Sequence, residues 1–378
     1  MTKYKTAFTA GFAMFAMFFG SGNLIFPIII GAKTTDKFLT ATMGLMITGV
    51  IVPFIGLFSM ILFQGDKEKY FGLVGKWAPF TISILILSLI GPFGVVPRCI
   101  LVAFGGVNLL YPTIPLYIFS AIFSLLIILI IWQKSKIVPL IGKFLGPLKI
   151  VGIALIIFVA VKQSPELIPM SQAGNPFILG ITQGYQTMDL MASLFFSITI
   201  VEYLRSVCKS KNETIRLSIM SSIIGGGLIA LVYVGFIYLG AHYADRLIDI
   251  NPEQYLAVIA QITLGKHAAL IVALTIFLST LVTAASLVKL FAEFLKTDIA
   301  KEKISWVNSV FVTIIIGYGL SLIGFSKIAS MLHAVLSYIY PALITLSISA
   351  ILYKTYGFRW TKQLFWLTIL AFAGYGFV

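Results

Sequence analysis

The sequence predicts an all-α polytopic membrane protein built from two five-helix repeats of opposite orientation. Three observations predict it. The 378 residues are 59% hydrophobic and only 11% charged, with mean hydropathy +1.03, which is too apolar for a soluble domain. The apolar runs are ~20 residues long and do not alternate, which indicates helices rather than a barrel. Two of those runs, five spans apart, are interrupted near their middles by polar and small residues.

Eleven spans are predicted, at roughly 7–31, 38–63, 79–108, 113–132, 137–161, 176–204, 214–241, 267–295, 305–325, 328–353 and 361–378. With the N-terminus in the cytoplasm, cytoplasmic segments carry eighteen Lys and Arg and external segments six. Arg98, Lys149 and Lys289 lie within spans. The three-to-one bias fixes the orientation and accounts for the net charge of +14 without nucleic acid. No small-residue cleavage site follows the first apolar stretch, so it is expected to be a span and not a signal peptide. Cys99 and Cys208 are the only cysteines; one lies in a span and one beside a basic loop, which suggests neither a disulfide framework nor a metal site.

The first interrupted span reads AMFFGSGNLIFPIII (16–30), with Gly20, Ser21, Gly22 and Asn23 at its centre. The sixth reads NPFILGITQGYQTMDLMASLFF (175–196), with Gly180, Gly184, Gln186, Thr187 and Asp189 before a clean apolar run. Five is odd, so a second five-span unit enters the membrane from the opposite side. This divides the chain into repeats at 1–162 and 175–353, with an additional span at 361–378. Paired broken helices at matching positions point to a transporter binding site.

A broken helix exposes N–H groups where its second half begins and C=O groups where its first half ends. In hydrocarbon each is tolerable only beside protein, water or ligand. An amino acid suits such a site. Its carboxylate matches the positive helix end near Gly22 and Asn23, and its ammonium matches carbonyls of the sixth span near 183–187. Carbonyls of Ala16 to Phe19 and the Asn23 amide oxygen are candidate ligands of a small cation. The competing interpretation is that Gly20 and Gly22 only allow close helix packing. Asp189 is a candidate cation ligand, a partner for the substrate ammonium, or a cap on its half-helix. Arg98 is expected either to pair with an acid or to snorkel towards the cytoplasm. No Ser/His/Asp set, metal-spaced cluster or phosphate loop is visible, so an enzyme is not expected.

The stretches FAMFFGSGNLIFP, GPFGVVPR (91–98), QGYQTMD (183–189) and SYIYPALITL (337–346) resemble the branched-chain amino acid:cation symporters, the LIV-II or BrnQ-type carriers, and the likeness runs along nearly the whole chain. It implies a LeuT-like fold, alternating access, and uptake of leucine, isoleucine and valine with sodium. By position it implies a substrate site at Gly20, Ser21, Gly22, Asn23, Gly184, Tyr185, Thr187 and Met188. It also implies a sodium site between the first break and eighth-span hydroxyls, here Ser279, Thr280 and Thr283, which would complete the candidate cation ligands Ala16, Phe19, Asn23 and Asp189, although such hydroxyls often bond their own helix.

The chain departs from the family pattern at Gln183, Gly105 and Lys149, and ends after eleven spans where twelve are common. Lys149 bears on the coupling ion. In this fold the fifth span packs near the first and eighth, so its ammonium competes for the sodium position, and a lysine taken out of water is a candidate proton carrier. The alternative is that it snorkels. The expectation is a sodium-coupled importer of neutral apolar amino acids in a bacterial cytoplasmic (inner) membrane, with proton coupling second and no prosthetic cofactor. A same-fold carrier of methionine or a small aromatic, a channel and a membrane receptor are the rivals.

Overall fold

The computed structural model describes residues 3–132, 146–171, 174–208 and 210–375, and every regular element among them is helical. Keeping the ordinals of the predicted spans, the first runs as Lys3–Phe18 and Ser21–Thr34, and the sixth as Pro176–Thr187 and Asp189–Val207. Both breaks therefore fall among the polar residues that predicted them. The second span continues from Phe38–Met46 through a π turn, Ile47–Ile51, into Val52–Leu62. The fifth is Gly146–Lys162; its predicted start at 137–145 lies outside the described residues. The seventh is Lys211–His242, the ninth Trp306–Ser321 and the tenth Phe325–Tyr356, which runs unbroken through Pro341.

Two spans differ from the sequence expectation. The third, predicted to be continuous, is divided into Ala78–Ile90 and Val95–Asn108. Gly91 and Gly94 take non-helical angles, φ −93°, ψ −126° and φ −140°, ψ −77°, and Pro92 between them has no N–H to continue the ladder. The apolar run conceals this break because no polar residue marks it. The eighth helix, Tyr255–Phe294, begins before the predicted 267 and kinks at Gly265, where φ is 73°.

Within the bundle the first span packs on the seventh, the sixth on the second, and the third and fifth on the eighth. The first two contacts correspond under a shift of five spans, and glycines make both of them close. A Cβ on Gly31 would lie 2.0 Å from the Ile237 carbonyl, and one on Gly240 2.1 Å from that of Ile28. In the matching contact, a Cβ on Gly44 would lie 2.2 Å from the Phe177 carbonyl, and one on Gly180 2.1 Å from that of Ala41. Small residues that let backbones touch are what packs helices in lipid, where burial of apolar surface gives no driving force between them. Outside the bundle, Leu129, Val151, Phe158, Leu231 and Leu370 stand exposed, as side chains facing acyl chains do. Six described stretches are long and apolar enough to cross a membrane, among them Ala78–Asn108 and Phe325–Tyr356. At one end of the bundle the short turn Pro252–Gln254 rests on the second half of the first span, Ser21–Thr34, and on the third, eighth and tenth. This turn, the lid, covers the Ser21–Thr34 side of the first break.

These packing contacts set an expected outcome. Gly180→Ala forces two backbones apart and should lower the thermal midpoint of the detergent-solubilised protein, by about 1–3 kcal/mol of stability. Gly227→Ala, with nothing within 4 Å of the new Cβ, should leave the midpoint unchanged or raise it by up to ~1 kcal/mol. Equal shifts in the two variants would refute the close-contact account.

Candidate functional site

The first helix ends at Phe18, and the carbonyls of Ala16 and Phe19 turn towards the eighth span. Ser279 Oγ donates to the Phe19 carbonyl at 3.3 Å. Thr283 Oγ1 lies 3.3 Å from the Ala16 carbonyl and 3.2 Å from that of Phe19. The Lys149 amino group enters the same group of oxygens. Its Nζ donates to Ala16 at 3.0 Å, to Phe19, and to the Ser279 carbonyl at 3.4 Å. The rings of Phe19 and Phe15 lie 5.1 and 5.8 Å from Nζ. Lys149 is 2% exposed, so it does not snorkel. The oxygens expected to hold a metal cation hold an amino group of the chain itself. Thr280 stands apart from them: its hydroxyl bonds the Ile276 and Phe277 carbonyls of its own helix at 2.9 and 3.0 Å.

Asn23 closes the other side of the first break. Its Oδ1 accepts from the Gly20 N–H at 2.9 Å, so the amide oxygen serves the backbone instead of facing a cation. Its Nδ2 donates to both Asp189 carboxylate oxygens, at 2.9 and 3.0 Å, and meets the Tyr233 hydroxyl. Tyr233 in turn donates to Asp189. All three side chains are buried. Asp189 thus ties the sixth span to the first and seventh and makes no cap. The Leu190 N–H of its half-helix is satisfied by Tyr340 Oη at 3.0 Å. Tyr233 carries no signal in an apolar, aromatic-containing stretch, and only its partners reveal it.

Between the two breaks lies a small cavity. Gly22, Asn23, Thr187 and Asp189 supply its polar wall. Phe18, Ile90, Val95, Met188, Phe196 and Leu287 supply its apolar wall. Gly22 lets the breaks meet, since a Cβ there would lie 3.1 Å from Thr187 Cα. Met188 makes the turn between the half-helices at φ 59°, an uncommon angle for a residue with a side chain. Phe18 and Phe196 meet edge to face, 5.4 Å apart. The open space is about 10 Å³, room for about one water, so the pocket is closed down in this conformation.

Four other residues expected in the substrate site lie elsewhere. Gly184 faces the second span, where a Cβ would lie 2.0 Å from Thr48 Oγ1. Tyr185 stacks on Tyr340 at 4.5 Å. Ser21 lies beside Cys99 of the third span. Gly20 abuts Thr283, whose Cγ2 would stand 2.7 Å from a Cβ. Arg98 meets neither expectation: it is fully buried, and its Nη1 donates to the Gln186 carbonyl at 3.1 Å and its Nη2 to Met188 Sδ at 3.2 Å.

The family model described as branched-chain amino acid transport protein matches residues 3–374. The chain belongs to this family. It is 30% identical over 362 residues to the branched-chain amino acid permease BrnQ of Bacillus subtilis (strain 168), covering 92% of this chain and 81% of that protein. Among solved structures it is similar to a Na+-coupled sialic acid symporter in its substrate-bound, outward-open state. The TM-score is 0.64 at 15% identity, covering 97% of this chain and 88% of that one. It is likewise similar to MhsT in complex with L-phenylalanine, with TM-score 0.61, 15% identity and 96% of each chain covered. The fold is LeuT-like, and members of this family are membrane transporters, not enzymes. In transporters of this fold, paired helix breaks lie near the bilayer midplane.

The Asp189 cluster gives a measurable expectation. Asp189→Asn replaces a carboxylate that accepts from two donors with an amide that brings donors of its own. Hydrogen bonds to charged groups contribute about 1.5–3 kcal/mol, so leucine uptake should fall about 10- to 100-fold with the protein still folded in the membrane. Tyr233→Phe should fall in the same direction. Thr280→Ala should stay near normal while Thr283→Ala does not. Normal uptake by Asp189→Asn would remove the cluster from the transport machinery.

Proposed function

We propose that the chain is a secondary active importer of leucine, isoleucine and valine that works by alternating access, and that the coupled cation is a proton carried by Lys149. The observation that carries the coupling is the Lys149 ammonium on the carbonyls of Ala16, Phe19 and Ser279. Sodium is the ion implied by the sequence resemblance. Among the same oxygens it would stand within about 4 Å of the ammonium, where two unit charges repel by ~4 kcal/mol at an effective dielectric of 20. A protonated lysine already does what the metal would do: it clamps the inner half of the first span to the fifth and eighth.

The proton can work this clamp. The ammonium has three N–H donors and no acceptor, matching three carbonyls. The neutral amine has two donors and a lone pair, which would point at a carbonyl oxygen. Loss of the proton therefore loosens the inner half of the first span, and gain of the proton fastens it. The substrate is neutral overall, so a proton and an amino acid move inwards together with one net charge.

The pocket supports an aliphatic substrate. Its walls are Phe18, Ile90, Val95, Met188, Phe196 and Leu287. The first N–H groups of Ser21–Thr34 suit the carboxylate. Asp189 and the carbonyl end of Pro176–Thr187 suit the ammonium. A charged side chain in this pocket would be buried without a partner, at a cost of several kcal/mol. In this reading the N-terminus is cytoplasmic, the lid at Pro252–Gln254 faces outwards, the membrane is the bacterial cytoplasmic membrane, and no prosthetic group takes part.

The test is uptake of labelled leucine into proteoliposomes with sodium and pH gradients imposed separately. An acidic exterior should drive accumulation without sodium, and Lys149→Leu should abolish that response. Unlabelled isoleucine and valine should compete, while lysine and glutamate should not. Uptake that requires a sodium gradient and survives Lys149→Leu would overturn the proton assignment. Equal competition by lysine would overturn the aliphatic pocket. Phe196→Ala, by enlarging the pocket, should let methionine compete more strongly against leucine, by about tenfold or more.

A further inference from the structure

We propose that Arg98 is the anion-binding group of this pocket and takes the carboxylate of the arriving amino acid, an assignment that rests on the amino-acid reading above. The guanidinium is fully enclosed. It has five N–H donors, yet its partners are one backbone carbonyl, Gln186 at 3.1 Å, and one thioether, Met188 Sδ at 3.2 Å. Nε has no partner. A thioether is a weak acceptor, and the ring of Phe26, 5.5 Å away, adds only a cation–π contact.

No carboxylate reaches Arg98 among the described residues. The Asp189 oxygens are taken by Asn23 and Tyr233. Glu253, on the lid, packs against Gly105, seven residues further along the third helix and so about 10 Å away. A buried cation without an anion is strongly unfavourable. Capping the carbonyl end of Pro176–Thr187 accounts for the Nη1 contact. It leaves Nε, and a thioether where a carboxylate would be far better.

Position identifies the anion. Val95, one turn before Arg98 on the same helix, lines the cavity, and so does Met188, which Arg98 touches. The next residue, Cys99, lies against Ser21 in the first turn of Ser21–Thr34. A helix N-terminus and a guanidinium with unused donors therefore approach the same end of the pocket. Both favour a carboxylate. Among the described residues Met188 is the one cavity-lining side chain with which Arg98 makes a hydrogen bond, and methionine is the most adaptable of the apolar residues. When substrate enters and the pocket widens, the carboxylate displaces the Met188 thioether from Nη2 and gains the free Nε, giving the two parallel bonds that arginine makes with carboxylates. The rotation needs no new backbone arrangement at the sixth break, because Nη1 keeps its Gln186 carbonyl.

The experiment compares ligands with and without the carboxylate, using purified protein in lipid nanodiscs. Leucine, leucinamide and isoamylamine are titrated against the wild type, Arg98→Lys and Arg98→Met. The wild type should bind leucine at least 100-fold more tightly than isoamylamine. Arg98→Met should lose about 100-fold for leucine and less than threefold for leucinamide, and Arg98→Lys should lose about tenfold for leucine. A residue that only caps the sixth break would weaken all ligands by one common factor, and that outcome overturns the assignment. Wild-type protein that binds isoamylamine as tightly as leucine overturns it without any variant having to fold. Replacing chloride with gluconate should leave leucine binding unchanged. Leucine binding that needs chloride, with the need lost in Arg98→Met, would make the anion inorganic and overturn the carboxylate assignment. Wild-type protein that binds no branched-chain amino acid overturns the transport reading and this assignment with it. Binding that persists while leucine and leucinamide fall equally in Arg98→Met overturns this assignment alone.

Discussion

A helix that stops partway across a bilayer leaves carbonyls and N–H groups without partners, and this protein is organised around satisfying them. Each such group costs several kcal/mol in hydrocarbon. At the first break, Lys149 from the fifth span and hydroxyls from the eighth meet the carbonyls of Ala16 and Phe19. Asn23 meets the Gly20 N–H and passes its own amide group to Asp189 and Tyr233. At the sixth break, Arg98 from the third span meets the Gln186 carbonyl. The breaks therefore draw the first, third, fifth, sixth, seventh and eighth spans to one region. The glycine contacts of Gly31 with the seventh span and Gly180 with the second hold the matching halves close enough for these bonds to form.

What could be read from the sequence follows from the same physics. A polar residue in a run of apolar ones is visible, so Gly20 to Asn23 and Thr187 to Asp189 marked both breaks. The third-span break was missed because Gly91, Pro92 and Gly94 interrupt the helix without a polar side chain to mark it. The resemblance placed Ser279, Thr280 and Thr283 together, but a helix turns 100° per residue, and that turn sends Thr280 to its own backbone while Ser279 and Thr283 face the first span. Gly184 and Tyr185 sit in the right motif but on the side that meets the second and tenth spans. Tyr233 was invisible because one tyrosine in an apolar, aromatic-containing helix gives no periodic signal. Buried basic residues were recognised as anomalies, but their partners are backbone carbonyls, which no sequence pattern displays.

The charges in this region also limit what can bind there. Lys149, Arg98 and Asp189 are each no more than 2% exposed. With all three ionised the region carries one excess positive charge. A zwitterionic amino acid leaves that total unchanged, whereas a sodium ion would raise it. Removal of the proton from Lys149 brings it to zero.

A tethered cation also changes how coupling is enforced. A metal ion can leave its site to either side of the membrane, so its order of release relative to substrate must be controlled by the gates. In the proposed cycle Lys149 cannot leave, and only its proton exchanges. The side to which that proton is released is then decided by which half of the first span is free to move. In the proposed orientation the outer half is Ser21–Thr34, which packs against the lid at Pro252–Gln254. The inner half, Lys3–Phe18, ends at the carbonyls that the ammonium clamps. In the proposed cycle a closed lid and a protonated lysine together keep both halves fixed. Only loss of the proton then frees the inner half, so the single break in the first span serves as both the substrate site and the coupling device.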